Sequence, residues 1–139
     1  TENFSAYSLL GHRHVPEVLQ NSGIEEAAFS FTAHLLPIDR GILETIYFRA
    51  TPSIKTGQDL VDIYQRAYAA EPFVRVYPPG QIPELRAVTR TNYCDISVTF
   101  DGNTGRAVVV TSIDNLRHSL FLQSQVPSRM FFAYLRASS

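Results

Sequence analysis

With 139 residues, 45% of them hydrophobic and 18% charged, the chain has material for one globular domain with one sizeable core. That composition excludes a disordered chain, and a formal net charge of -1 gives no global attraction to nucleic acid or to an anionic membrane. Eleven of the twelve basic residues are Arg, a weak signal for carboxylate or phosphate partners that codon usage alone explains.

Phe4 to Leu10 reads as a strand ended by Gly11. His12 to His14 then fall at its end, where loops on a rigid scaffold carry function. Pro16 suits the first turn of a short helix over Pro16 to Asn21, closed near Gly23. Ala28 to Leu36 alternates and predicts a strand, Pro37 to Arg40 a break, and Gly41 to Ala50 a second, β-branched and aromatic strand. Thr56 to Ala70 is the clearest helix. Thr56 caps it, Asp59 follows three residues on, and Leu60, Ile63, Tyr64, Ala67 and Tyr68 recur at helical spacing.

Phe73 to Tyr77 and Leu85 to Val88 read as short strands around a stiff Pro-rich loop. Tyr93 to Phe100 and Arg106 to Ser112 read as a hairpin around Asp101-Gly102-Asn103-Thr104-Gly105. Arg117 to Ser139 is apolar in patches but interrupted by Pro127, and forms no single helix. The sum is one α+β domain with a mixed, mostly antiparallel sheet and helices on one face. The domain is expected to cover residues 1–116, with a divergent tail over 117–139. Cys94 is alone, so no internal disulfide forms. The first residues are polar and mixed, and no apolar run spans a bilayer. Together these lead us to expect a soluble, cytoplasmic chain with no membrane or nucleic-acid partner. An organellar location stays open.

Chemistry concentrates in His12-Arg13-His14-Val15-Pro16-Glu17. Imidazoles serve acid–base work near neutral pH, a guanidinium holds an anion bidentately, and a carboxylate orients an imidazole. A metal-dependent hydrolase using His12, His14 and Glu17 is a competing reading, although the ligand count falls short of a typical site. A surface loop with satisfied histidines is the plain alternative. Arg40-Gly41 after a proline-broken strand puts a guanidinium at a cleft or in a simple turn. His34 reads as a core or interface histidine. Cys94 has an acid beside it that raises its pKa, and reads as a packing residue. Asp114-Asn115 reads as a turn or cap, with a functional role an equal alternative.

Four segments, GHRHVPE, FTAHLLPIDRG, TNYCD and IDNL, stand in the order of one family's motifs. With them, and with the tyrosine-rich helix followed by EPFVRV, the chain from about Phe4 to Leu116 resembles N-acetyl-gamma-glutamyl-phosphate reductase, an NADPH-dependent enzyme of arginine biosynthesis. The resemblance implies the second, α+β domain of a fold like that of the aspartate-semialdehyde and glyceraldehyde-phosphate dehydrogenases. That domain supplies the catalytic histidine, substrate-binding groups and the sheet of a homodimer. A separate domain holds NADP and a nucleophilic Cys, whose thiolate displaces phosphate from N-acetyl-glutamyl phosphate before hydride reduces the thioester to the semialdehyde. By position in the motif, His12 would be the acid–base imidazole, with His14 as alternate. Arg13 and Glu17 would bind substrate or orient the imidazoles, and Arg40 would support substrate or interface geometry.

The chain departs from the family pattern. It has seven Gly and no glycine-rich nucleotide fingerprint, so no cofactor is expected to bind this chain alone. Cys94 does not occupy the nucleophile's place, Ala33 stands where the family usually has Pro, and after IDNL only His118 and Gln123 loosely correspond. The expectation is a substrate and dimerisation portion that is inactive alone, its nucleotide-binding domain supplied in cis or in trans. A non-catalytic interaction or regulatory protein that retains the fold is the alternative.

Overall fold

The computed structural model describes residues 3–115; the tail expected over 117–139 lies outside them. The main sheet has four strands: β3 (Ile42–Arg49), β4 (Val74–Val76), β5 (Cys94–Asp101) and β6 (Arg106–Ile113). They lie in the order β3-β6-β5-β4. Strands β3, β6 and β5 are antiparallel and β4 joins β5 in parallel, so the sheet is mixed and mostly antiparallel as expected. A separate two-stranded ribbon pairs β1 (Ser5–Tyr7) with β2 (Ala33–Leu35).

The long helix α2 (Gly57–Ala67) covers one face of the main sheet. Thr56 starts it with a full capping box: its hydroxyl accepts from the Asp59 N–H at 3.2 Å, and the Asp59 carboxylate accepts from the Thr56 N–H at 2.8 Å. The Lys55 backbone N–H, which also donates to the Asp59 carboxylate at 2.9 Å, and the Thr56 N–H hold that carboxyl below its ordinary pKa. Leu60, Val61 and Tyr64 are buried against Phe48, Cys94, Ile96, Val98, Ala107 and Val109. Burial of one such side chain contributes about 2 kcal/mol, so this face is the stable centre of the molecule.

Register sorts the strand residues by face. Rows such as Ile46–Val109–Val98 and Phe48–Ala107–Phe100 face α2. The intervening rows, Thr45–Val110–Ser97 and Tyr47–Val108–Thr99, face the other way, and Tyr47 on that side is 74% exposed.

Three readings change. Leu85 to Val88 is a single turn of helix, α3, not a strand; Val88 is its buried residue, and the Thr89 hydroxyl and N–H close the turn on the Leu85 carbonyl. Four apolar-rich residues satisfy either pattern, and the capping bonds decide. The strand read over Phe4 to Leu10 stops at Tyr7, because Ser8 and Leu10 take left-handed backbone angles, φ 49° and 58°. The strand read over Ala28 to Leu36 pairs as a strand only at Ala33–Leu35, after a 3-10 turn at Glu26–Ala28.

Candidate functional site

The segment from Gly11 to His14 leaves the ribbon and enters helix α1 (Val15–Ser22). Pro16 sits in the first turn, where its missing N–H costs nothing. Gly23 closes the helix in the left-handed conformation, φ 69°, with its N–H bonded to the Leu19 carbonyl at 3.0 Å. The helix therefore fixes where the preceding His loop points.

Tyr7, Ser8, Gly11, His12, Arg13 and His14 line a cavity of about 280 Å³. His12 is 7% exposed; its ring meets those of Tyr7, His14 and Phe31 at centroid distances of 5.4, 4.9 and 4.9 Å. His12 Nε2 lies 3.3 Å from the Tyr7 hydroxyl oxygen, and His12 Nδ1 accepts from the His14 backbone N–H at 3.3 Å. Arg13 and His14 are exposed, so the cavity offers a guanidinium and an accessible imidazole beside a shielded one. A cation and two imidazoles within one cavity can hold an anionic group and move a proton next to it.

The structure thus brings His12, Arg13 and His14 together. Glu17 is exposed in the first turn of α1 and is not among the residues lining the cavity. Arg40 lies elsewhere: its Nη1 is 3.1 Å from Oδ2 of the fully buried Asp114, which also accepts from the Arg90 N–H at 2.6 Å. Asn115 accepts from the Gly41 N–H at 2.9 Å. The Asp-Asn pair therefore clamps the Arg40-Gly41 turn from 74 residues away. Gly41 is required there, since it has φ 104° and a Cβ would meet Leu85 Cδ2 at 2.9 Å.

Cys94 is buried in the core, and burial, with Asp95 and Glu44 adding, pushes its thiol up to about 12. It is a packing residue, as expected. Asp95 is fully buried and accepts from Arg75 Nε and Nη2 at 2.6 and 2.8 Å and from the Tyr77 hydroxyl at 2.8 Å, while Arg75 stacks over Tyr93. His34 is exposed on β2 and stacks on Phe4 at 5.2 Å, so it is not a core residue of the described chain.

Sequence reasoning missed two groups. Tyr7 lies five residues before His12 in a stretch that reads only as strand. Glu44 sits on the α2-facing side of β3, in the row Glu44–Thr111–Ile96, and accepts from the Thr111 hydroxyl at 3.3 Å. Burial raises its pKa, while the Thr111 bond and the charge of His14 lower it. An acid breaking an otherwise apolar strand face was the available signal.

Among the described residues, no three His, Cys, Asp or Glu side chains converge as metal ligands. The hydrolase reading gains no support and is not carried further. Among the described residues, the parallel pair β4 and β5 has a Pro-Pro-Gly loop after β4 rather than a glycine-rich turn entering a long helix. No helix among the described residues is long and apolar enough to cross a membrane.

Residues 1–115 match the family described as semialdehyde dehydrogenase, dimerisation domain. The chain is 47% identical over 119 residues to an N-acetyl-gamma-glutamyl-phosphate reductase of Pelotomaculum thermopropionicum, covering 83% of this chain and 34% of that protein. It is 48% identical over 120 residues to the reductase of that name from Geobacter sulfurreducens and 45% over 119 residues to that of Symbiobacterium thermophilum, with the same coverage. The chain thus spans about a third of the length of these relatives. A domain match over most of the chain, four motifs in register and this level of identity agree: the chain belongs to the semialdehyde dehydrogenase dimerisation-domain family, as it occurs in N-acetyl-gamma-glutamyl-phosphate reductases.

Proposed function

We propose that this chain supplies the acid–base and anion-binding side of an N-acetyl-gamma-glutamyl-phosphate reductase site, together with the surface on which two copies pair. The observation that supports this most is the cavity in which His12, Arg13 and His14 converge, built from the motif that this chain shares with the family. Arg13 holds an anionic oxygen of the acyl phosphate or of the substrate carboxylate. One of the two imidazoles takes the proton of the attacking thiol and returns it. Glu17 and Arg40 act from further off, Glu17 through the start of α1 and Arg40 through the turn it forms with Asp114. The nucleophilic thiol and the NADP that supplies hydride belong to a nucleotide-binding domain outside these residues, in cis or in trans.

On this reading the domain ends near residue 116, the chain works in the cytoplasm, and it is inactive alone. Purified chain incubated with NADPH and the acyl phosphate should give no turnover; turnover by this chain alone would sink the reading. Binding of N-acetylglutamate analogues that is lost in Arg13→Ala supports it.

Pairing of two copies uses the sheet face turned away from α2. Leu43, Tyr47 and Thr45 are exposed there on β3, beside half-buried Val108 and Val110. A half-apolar sheet face of this kind is stable when covered by a second sheet. Sedimentation should find a dimer that Tyr47→Asp converts to monomer without loss of helix content.

A further inference from the structure

The sheet face turned away from α2 has two unlike ends. The row Leu43–Ser112–Asp95 stands at one end and the row Arg49–Arg106–Asp101 at the other. Ser112 and Asp95 are fully buried and Ser97 is 2% exposed, although α2 covers the opposite face. The cover comes from α3 and the loop around it. Leu85 Cδ2 lies against Gly41, just before β3. The Ala87 carbonyl accepts from Arg75 Nη2 of β4 at 3.4 Å, and the Arg90 N–H donates to Asp114, just after β6. The α3 segment therefore lies as a bar across that end of the sheet, from β3 to β4. Beyond the bar the face is open: Thr45, Tyr47, Thr99 and Arg106 are exposed there, with Val108 and Val110 half-buried between them.

In a dimerisation domain the occupant of such a face is a second copy. Two equal sheets stacked face to face are related by a two-fold axis that lies between them. Stacked sheets stand about 10 Å apart, and a helix with its side chains is about as thick. An axis along β6 sets bar against bar. That holds the sheets about 20 Å apart, twice the stacking distance, and leaves the open rows without contact. The charges alone would favour this arrangement, because β3 would cross over β5 of the second copy and set Arg49 over Asp101. The two bars keep those charges from meeting. An axis across the strands instead sends each bar past the open end of the other sheet, and the open rows close on each other.

We propose that two copies pair about a two-fold axis that runs across the strands through the row Tyr47–Val108–Thr99, with α3 as the stop that sets this orientation. Each strand then lies antiparallel to the same strand of the second copy. Tyr47 sits on the axis against its own counterpart, and Arg49 lies over Thr45 of the second copy. That two copies pair at all rests on the reading under Proposed function; the direction in which they lie rests on α3.

The hairpin tip between β5 and β6 reports the axis. Asn103 is exposed there, beyond the open rows, and the turn uses its backbone N–H, which donates to Asp101 Oδ1 at 3.0 Å. Cys94 is the sole cysteine and is buried, so a spin label on the full chain carrying Asn103→Cys reads that position alone. With the axis across the strands the two tips lie at opposite ends of the dimer, about 33 Å apart at about 3.3 Å per residue. Pulsed electron resonance should therefore find the labels about 30 Å apart or more. Shorter separations, down to tips side by side, overturn the orientation. Self-association of Arg49→Glu is the second readout. An exposed charge over Thr45 contributes little, so the loss should stay below about 5-fold. A larger loss places Arg49 over Asp101 and overturns the orientation. A wild-type chain that sediments as a monomer sinks the pairing reading itself, whereas a dimer with close tips overturns the orientation alone.

Discussion

The face of the main sheet under α2 and the ribbon that carries the His loop are built in opposite ways. Under α2, Leu60, Val61, Tyr64, Cys94, Ile96 and Val109 have almost no exposed surface. In the ribbon region, three-residue strands pair, and Phe4, Leu9, Leu10, Leu35, Leu36 and Ile38 stand largely in solvent. A two-stranded ribbon has little stability of its own in water. The core can therefore fold on its own terms, while the ribbon and the His loop are supported mainly by α1 and by the ring cluster around His12. Loops set on a stable sheet are a common place for function.

Substitutions can break or sharpen that contrast. Tyr64→Ala empties the centre of the core and should cost about 3 kcal/mol in urea unfolding, whereas Leu35→Ala in the ribbon should stay within about 0.5 kcal/mol. Equal costs would erase the distinction. Asp95→Ala leaves Arg75 and Tyr77 without their buried acceptor at the core's edge, and should cost about 2 kcal/mol by the same measurement. Thr56→Ala removes one half of the capping box and should cost about 1 kcal/mol.

Leu10→Gly works in the other direction. Leu10 is 95% exposed with φ 58°, so glycine removes strain without losing packing and should stabilise the chain by about 1 kcal/mol or less.

The smallest effect is a pH dependence. Glu44 is held above its ordinary value of 4.5, so between its unfolded and folded values the folded chain binds more protons than the unfolded one. Its contribution to stability is present below 4.5 and is lost as the pH rises through the folded value. Glu44→Gln should therefore raise the thermal midpoint at pH 7, and the gain should shrink toward pH 4. A gain that grows on acidification would contradict the burial of this carboxylate.

Much of this architecture was legible from residues that leave little choice. The capping pair Thr56 and Asp59, the turn residues between β5 and β6, and the Pro16 to Gly23 helix all express local rules, and they appear where those rules put them. Short segments were not legible. Leu85 to Val88 and Ala28 to Leu36 hold too few residues for a period to show, and their conformation follows from the Leu85 carbonyl turn and from pairing with β1. At the site, the motif exposed His12, Arg13 and His14, because their chemistry is carried in adjacent positions. Tyr7 and Glu44 reach them only through ribbon geometry and sheet register, which a linear reading does not contain. Arg40 shows the converse: its motif is plain, yet its partner is Asp114 rather than a cavity.

That last pairing has a consequence for how such a sequence can change over time. Arg40-Gly41 and Asp114-Asn115 form one clamp in two pieces, with the guanidinium on the carboxylate and the glycine N–H on the amide. Replacing either piece takes the guanidinium from Asp114, which keeps its bond from the Arg90 N–H, and the amide acceptor from the Gly41 N–H. They should behave in descent as a single inherited character: a lineage that replaces Asp114 with an apolar residue is expected to lose Arg40 as well, and a chimera that joins the two pieces from distant lineages should keep the turn only when both come from the same parent.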